Sequence, residues 1–73
     1  MSSFPERLKE VRVAQNLTQK QVFTGIDVGE RLYQSYEYGK VEPKYTVIIK
    51  LCRYFNVSAD YLLGLSDEPR PLY

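Results

Sequence analysis

The segment TQKQVFTGIDVGERLYQSYEYG, residues 18–39, contains two short helical patterns separated by an abrupt turn. Thr18 and Gln21 have the spacing of a capping box, which begins a helix. Gly39 suits the C-terminal cap of the second helix. Gly25 and Asp27 lie between the two patterns, and both tolerate the left-handed backbone that a sharp turn needs. A joint this short keeps the helices from running antiparallel, so the second helix should project from the domain.

Capping residues and apolar spacing predict three further helices and no strand. Ser3 and Glu6 match a second capping box, and Ser58 suits the N-cap of a short last helix. The expected fold class is therefore all-α, with five short helices around one core. The first helix is expected to end near Asn16, and the second is expected to follow Thr18 and to include Ile26. The last three helices are expected to span about 30–38, 45–55 and 59–63. The expected core is Leu8, Val11, Val22, Ile26, Val28, Tyr33, Ile48, Leu51, Phe55 and Leu62.

The length of 73 residues predicts a single small domain, residues 1–66, with a short C-terminal tail, residues 67–73. The tail is rich in proline and charge, so it should lie loose or pack on a partner. No apolar run approaches the roughly 18 residues of a membrane span. The single cysteine, Cys52, excludes an internal disulfide, which favours a reducing, cytoplasmic location.

Few residues in this sequence are suited to catalysis. There is no histidine, so the commonest general base and the commonest metal ligand are both missing. Cys52 has no second thiol or imidazole to form a metal site or an activated nucleophile. No glycine-rich phosphate loop is present. We therefore expect a protein that is not an enzyme and that needs no cofactor and no metal.

Four segments, RLKEVR, NLTQKQV, YEYGKVEP and LCRYFNVSADYLLG, occur in an order and at separations that are specific in combination. On these segments, residues 6–64, about four-fifths of the chain, resemble the Cro/repressor (Xre-like) family of bacterial and phage DNA-binding domains. The resemblance implies a lambda-repressor-like helix-turn-helix domain whose partner is double-stranded DNA. The helix that begins at Gln19 would cross the DNA backbone, and the helix after the turn would read bases in the major groove.

The resemblance assigns two sets of DNA-contacting residues and one structural pair. Arg31 can contact guanine with two hydrogen bonds, Gln34 can pair with adenine, and Glu30 can accept from the cytosine amino group. The alternative is that Arg31 pairs with Asp27 and that Glu30 is only solvated. Arg12 and Glu37 would form an ion pair between the first and third helices. The base-reading set is Gly29, Glu30, Arg31, Gln34 and Ser35, and the phosphate-contacting set is Thr18, Gln19, Tyr38, Lys40 and Lys44.

Three residues at the turn depart from the family pattern. Phe23 stands where the family usually has alanine, Asp27 where it has glycine, and Gly29 where it has a capping serine. The turn should therefore be recognisable but slightly distorted. Tyr33 and Tyr36 could stack on bases, but their spacing matches core positions of the third helix, and core is favoured.

Residues 18–45 carry no net charge, which limits the affinity of one copy for DNA. Nonspecific affinity comes largely from neutralised phosphates, so we expect a homodimer on a two-fold operator with half-sites about 34 Å apart. The dimer surface is predicted at Tyr61, Leu62, Leu65 and the tail. The four basic residues of the segment are Lys20, Arg31, Lys40 and Lys44, and the four acidic residues are Asp27, Glu30, Glu37 and Glu42.

Two functions are compatible with this sequence. The first is a sequence-specific transcriptional regulator, a repressor that acts as a dimer. The second is a protein-interaction module, such as an antirepressor or an antitoxin-like partner, that keeps the fold without reading DNA. Phe23, Asp27 and the neutral charge favour the second function, and the four family segments favour the first.

Overall fold

Five α-helices make up most of residues 3–70, the part of the chain that the computed structural model describes. No strand occurs in this part of the chain, so the all-α prediction is confirmed. Residues 1–2 and 71–73, including the end of the predicted tail, lie outside the described residues. The helices are α1 Phe4–Ala14, α2 Gln19–Gly25, α3 Glu30–Glu37, α4 Tyr45–Phe55 and α5 Ala59–Leu62.

The residue that closes each of these five helices has a left-handed backbone. In α3, the N–H of Gly39 donates to the Tyr36 carbonyl and the N–H of Lys40 donates to the Ser35 carbonyl, at 3.3 and 2.9 Å. This pair of bonds is a Schellman motif, and it satisfies carbonyl groups that a helix end would otherwise leave unpaired. The closing residues, with φ from +58° to +81°, are Asn16, Asp27, Gly39, Asn56 and Gly64.

Gly25 does not have the left-handed backbone that the sequence suggested, so that part of the prediction is wrong. It is the last residue of α2, and only Asp27 in this turn has positive φ, at +59°. A side chain at Gly25 would collide with the ring of Tyr54. The Tyr54 hydroxyl donates to the Gln21 carbonyl at 3.2 Å, which holds the ring in that place. Glycine at position 25 therefore lets α4 approach α2.

The core lies between α1, α2, α3 and α4, with α5 closing it at one end. Of the ten predicted core residues, eight are buried, and Val28 and Ile48 are half-buried and pack against the others. Tyr33 and Tyr36 are both buried, so they are core residues. Phe23 is half-buried, and its ring packs against that of Tyr33, with centroids 6.3 Å apart. The larger side chain is thus accommodated between α2 and α3.

Candidate nucleic-acid interface

The five residues expected to read bases lie at the N-cap and within the first six residues of α3. Gly29, Glu30 and Arg31 are exposed, whereas Gln34 and Ser35 are half-buried. The opposite face of the helix is buried in the core. The Ser35 hydroxyl donates to the Leu32 carbonyl at 2.6 Å, so its proton is used within the helix and its oxygen remains an acceptor.

Arg31 has no ion pair among residues 3–70, and the alternative pairing with Asp27 is not formed there. Its guanidinium, with five N–H donors in a planar fork, is therefore available to another group. Gly29 caps α3 with an extended backbone and without a side-chain hydrogen bond. A Cβ atom at this position would meet nothing within 4 Å, so the start of α3 is open on its outer side.

The residues expected to contact phosphates lie at the start of α2 and in the connection from α3 to α4. Tyr38 is 64% exposed, and Lys40 and Lys44 are also exposed. Thr18 and Gln21 form the predicted capping box, because the Thr18 hydroxyl accepts from the Gln21 N–H at 3.1 Å and the Gln21 carboxamide accepts from the Thr18 N–H at 2.8 Å. Within residues 3–70 the hydroxyl proton of Thr18 is not used in a hydrogen bond, so it can donate to another group.

An ion pair between Arg12 and Glu37 joins α1 to the end of α3. The Arg12 Nε lies 2.7 Å from a Glu37 carboxylate oxygen, and the Glu37 side chain is only 2% exposed. The same carboxylate accepts from the Tyr33 hydroxyl at 2.6 Å and from the Gln19 carboxamide at 3.1 Å. Sequence reasoning found the ion pair through the family resemblance, but it missed the two additional donors.

Burial and hydrogen bonding act in opposite directions on Glu37. Burial alone raises the pKa of this carboxyl, but the hydrogen bonds from Arg12, Tyr33 and Gln19 outweigh it and leave the pKa below the ordinary value. For Tyr33, burial together with the bond to Glu37 raises the pKa of the phenol well above its ordinary value. Glu37 is therefore held ionised and Tyr33 neutral, so Tyr33 acts as a hydrogen-bond donor.

The predicted dimer surface needs one correction. Leu62 is 0% exposed and belongs to the core, because α5 lies with that face against α1 and α4. Tyr61 is half-buried under the guanidinium of Arg7, which lies 4.1 Å from the ring centroid. Leu65 is 66% exposed, so it alone of the three presents a largely free apolar side chain.

Arg7 is the residue that sequence reasoning missed at this end of the domain. It is only 4% exposed, and its guanidinium donates to the carbonyls of Tyr61 and Ser66 at 2.9 and 3.1 Å and to the Asp67 carboxylate at 3.2 Å. Its position beside Leu8 and four residues before Val11, on the apolar stripe of α1, was the available signal.

The tail does not lie loose where the structure describes it, so that expectation is wrong for residues 67–70. Arg7 binds Asp67, and the Ser58 N–H donates to the Pro69 carbonyl at 2.9 Å. These bonds fold the segment back over the start of α5. The reason is that a buried guanidinium and the buried N–H of Ser58 at the start of a helix both need acceptors, and the Asp67 carboxylate and the Pro69 carbonyl supply them.

The described part of the chain lacks two other kinds of feature. No group of three or more acidic or cysteine side chains there is placed to hold a metal ion. None of the five helices has both the length and the apolar character required to span a membrane. Cys52 is a buried free thiol, and burial raises its pKa.

The sequence of this chain is similar to those of known proteins. A family model described as helix-turn-helix matches residues 8–62. The chain is 36% identical over 66 residues to YobD of Bacillus subtilis, an uncharacterised HTH-type transcriptional regulator. It is 33% identical over 64 residues to RstR of Vibrio cholerae, a transcriptional repressor of the cryptic phage CTXphi. These alignments cover 90% and 88% of this chain but only 59% and 58% of the relatives.

Two solved structures have the same fold. A transcriptional regulator from Listeria innocua superposes with a TM-score of 0.79 at 29% identity, covering 90% of this chain and 62% of that protein. The restriction-modification controller protein C.AhdI from Aeromonas hydrophila gives a TM-score of 0.77 at 24% identity, covering 81% of this chain and 89% of that protein. At that identity, the second likeness concerns the fold alone.

Proposed function

This chain belongs to the Xre/Cro-like helix-turn-helix family, and from that premise we propose that it is a sequence-specific DNA-binding transcriptional regulator that acts as a repressor. The family consists of DNA-binding regulators rather than enzymes. The observation that carries the proposal is the exposed guanidinium of Arg31 in α3, which has no ion pair within residues 3–70. A guanidinium has a planar, forked arrangement of N–H donors that fits the edge of a guanine in the major groove.

The other residues of α3 would extend this readout. Gln34 would pair with adenine and Glu30 would accept from a cytosine amino group. Gly29 would let the backbone of α3 come close to the DNA, since nothing occupies the space around it. The acceptor oxygen of Ser35 would add a hydrogen bond from a base or a bridging water.

Phosphate contacts would orient α3 in the groove without reading sequence. Lys40, Lys44 and Tyr38 are exposed around the connection from α3 to α4 and can meet one strand of the backbone. Thr18 and Gln19, at the start of α2, supply a hydroxyl and a carboxamide for the same purpose. Only two of these five residues are cationic, so one copy of the domain would bind DNA weakly.

A homodimer on a two-fold operator would double those contacts. We place its interface near Leu65 and Leu63, which are 66% and 39% exposed at the end of α5. Exposed apolar side chains at a domain end are suited to association. Tyr61 would contribute only its uncovered edge, and Leu62 is excluded by its burial. The expected location of such a regulator, with its one free thiol, is the cytoplasm.

The experiment is selection of duplexes from a random-sequence pool, followed by fluorescence anisotropy at a stated salt concentration. Enrichment of one motif with two-fold symmetry, and its tighter binding over a scrambled duplex, is the expected result. Absence of enrichment together with absence of binding at low salt would overturn the proposal. That outcome would favour the protein-interaction module, for which the zero net charge of residues 18–45 is the supporting observation.

A further inference from the structure

The carboxylate of Glu37 accepts four hydrogen bonds. The Tyr33 hydroxyl and the Arg12 Nε donate to one oxygen, at 2.6 and 2.7 Å. The Gln19 Nε2 and the Arg12 Nη2 donate to the other oxygen, at 3.1 and 3.2 Å. A carboxylate offers about four acceptor positions. All of them are therefore filled, and the group has a single orientation.

The donors to Glu37 come from three helices that meet behind the proposed DNA surface. Arg12 belongs to α1 and also donates to the Leu17 carbonyl in the connection to α2, at 2.9 Å. Gln19 is the first residue of α2, and Tyr33 lies one turn before Glu37 in α3. Tyr33 is fully buried, so water cannot replace its hydroxyl if that group is removed.

We propose that Glu37 and Tyr33 are positioning residues for a contact between Gln19 and a DNA phosphate, an inference that rests on the proposed function. The Gln19 Nε2 carries two hydrogens, and one of them is used by Glu37. The other is left for a phosphate oxygen. If the amide were turned over, it would present its carbonyl oxygen, which repels a phosphate.

Tyr33 acts on Gln19 through the orientation of the carboxylate. With the hydroxyl in place, one oxygen of Glu37 faces Tyr33 and Arg12, and the other faces Gln19. Removal of the hydroxyl leaves an unfilled acceptor position in a buried site, and the carboxylate then turns toward Arg12, its charged donor, and away from Gln19. Gln19 loses its fixed orientation and must be ordered again when DNA binds, which costs affinity.

A double-mutant cycle tests this coupling. The variants Tyr33→Phe, Gln19→Ala and the double variant are compared for binding to one mixed-sequence duplex at one salt concentration. Each single change should weaken binding about two- to tenfold, and the double variant should bind no more weakly than Gln19→Ala alone. Tyr36→Phe is the matched control, because it removes the same atom from the same helix without touching Glu37. It should leave the affinity unchanged. Urea unfolding of every variant establishes that each is folded under the binding conditions.

Three results would contradict this picture in distinguishable ways. If the effects of Tyr33→Phe and Gln19→Ala multiply, or if Tyr33→Phe binds like the wild type, Tyr33 does not position Gln19. A wild-type chain that binds no duplex would overturn the proposed function, and this inference with it. If Tyr33→Phe does not fold, NMR of the wild-type chain decides. One Gln19 side-chain amide proton should shift on DNA addition while the other stays constant, and equal shifts or no shift would overturn the inference.

Discussion

Glu37 is a buried charge whose contribution to stability depends on its ionisation. Its pKa is lowered in the folded chain, so folding is stabilised above the ordinary carboxyl value of 4.5. That stabilisation is lost as the pH falls from about 4.5 through the lowered pKa, because the unfolded chain binds the proton first. Acid therefore weakens the fold in part through this one residue.

The variant Glu37→Gln should lack this contribution to the pH dependence of stability. At neutral pH it should lower the free energy of unfolding by about 3 kcal/mol, because it leaves Arg12 without its counter-ion. Below pH 4.5 the difference from the wild type should shrink. Urea unfolding across the acid range measures both quantities. Glu42→Gln is the matched control, since that side chain is exposed and has no ion pair within residues 3–70. If Glu37→Gln and the wild type lose stability equally in acid, the Glu37 carboxylate is not the source of the acid sensitivity.

Capping residues show how far local sequence determines a hydrogen bond. Thr18 and Gln21 form the predicted reciprocal box. Ser3 and Glu6 have the same spacing, but the Ser3 hydroxyl donates to the Glu6 carboxylate at 2.9 Å and accepts nothing from the backbone, so that box is wrong. Two side chains three residues apart can form either a reciprocal capping box or a direct bond to each other. Arg7 was missed for a related reason, since the groups to which its guanidinium donates hydrogen bonds lie more than 50 residues away in sequence.

At the scale of helices, the sequence predicted the positions of the helix ends better than the contacts that place particular residues there. Asn16 and Gly39 close their helices as the sequence indicated, and Asn56 and Gly64 directly follow the predicted helix ends at residues 55 and 63. Gly25 was assigned to the turn through backbone freedom, but its backbone is helical and its role depends on Tyr54. No local pattern reveals a contact between α2 and a residue of α4. Tertiary contacts of this kind are what single-sequence reasoning could not supply.

The packing of α4 on α2 predicts the effect of a methyl group at position 25. Gly25→Ala should force the Tyr54 ring outward and break its hydrogen bond with the Gln21 carbonyl, at a cost of about 1–3 kcal/mol. Thermal and urea unfolding measure this loss. Gly29→Ser is the matched control at the other side of the turn, where space is open and a capping hydroxyl should stabilise α3 by a few tenths of a kcal/mol. A Gly25→Ala variant as stable as the wild type would mean that α2 and α4 do not approach as described.

For the whole molecule, a net charge of only +1 makes each cationic contact with DNA important. Replacing Lys40 or Lys44 with alanine should weaken binding to all duplexes alike. It should also reduce the slope of log affinity against log salt by about one unit per lost contact. Anisotropy titrations at several salt concentrations measure the slope. Lys9→Ala, on the exposed side of α1, is the control and should leave the slope unchanged. A changed base preference in the Lys40 or Lys44 variant would mean that the loop reads sequence.

Association of two copies is the second property of the whole molecule. If Leu65 lies in the dimer interface, Leu65→Lys should shift the chain toward monomer without loss of thermal stability, because the side chain is exposed in one copy. Sedimentation equilibrium measures the shift. Leu65→Met is a control that keeps the apolar surface. A dimer unaffected by Leu65→Lys would place the interface elsewhere.

The base preference of Arg31→Ala tests whether α3 reads bases through Arg31. On the selected duplex and its single-base variants, anisotropy should show a loss of about 1–3 kcal/mol and relaxed preference at one position in each half-site. Preference at the remaining positions should persist, and Lys9→Ala should match the wild type throughout. Unchanged affinity and unchanged preference in Arg31→Ala would contradict base reading through Arg31 and favour a role in protein interaction.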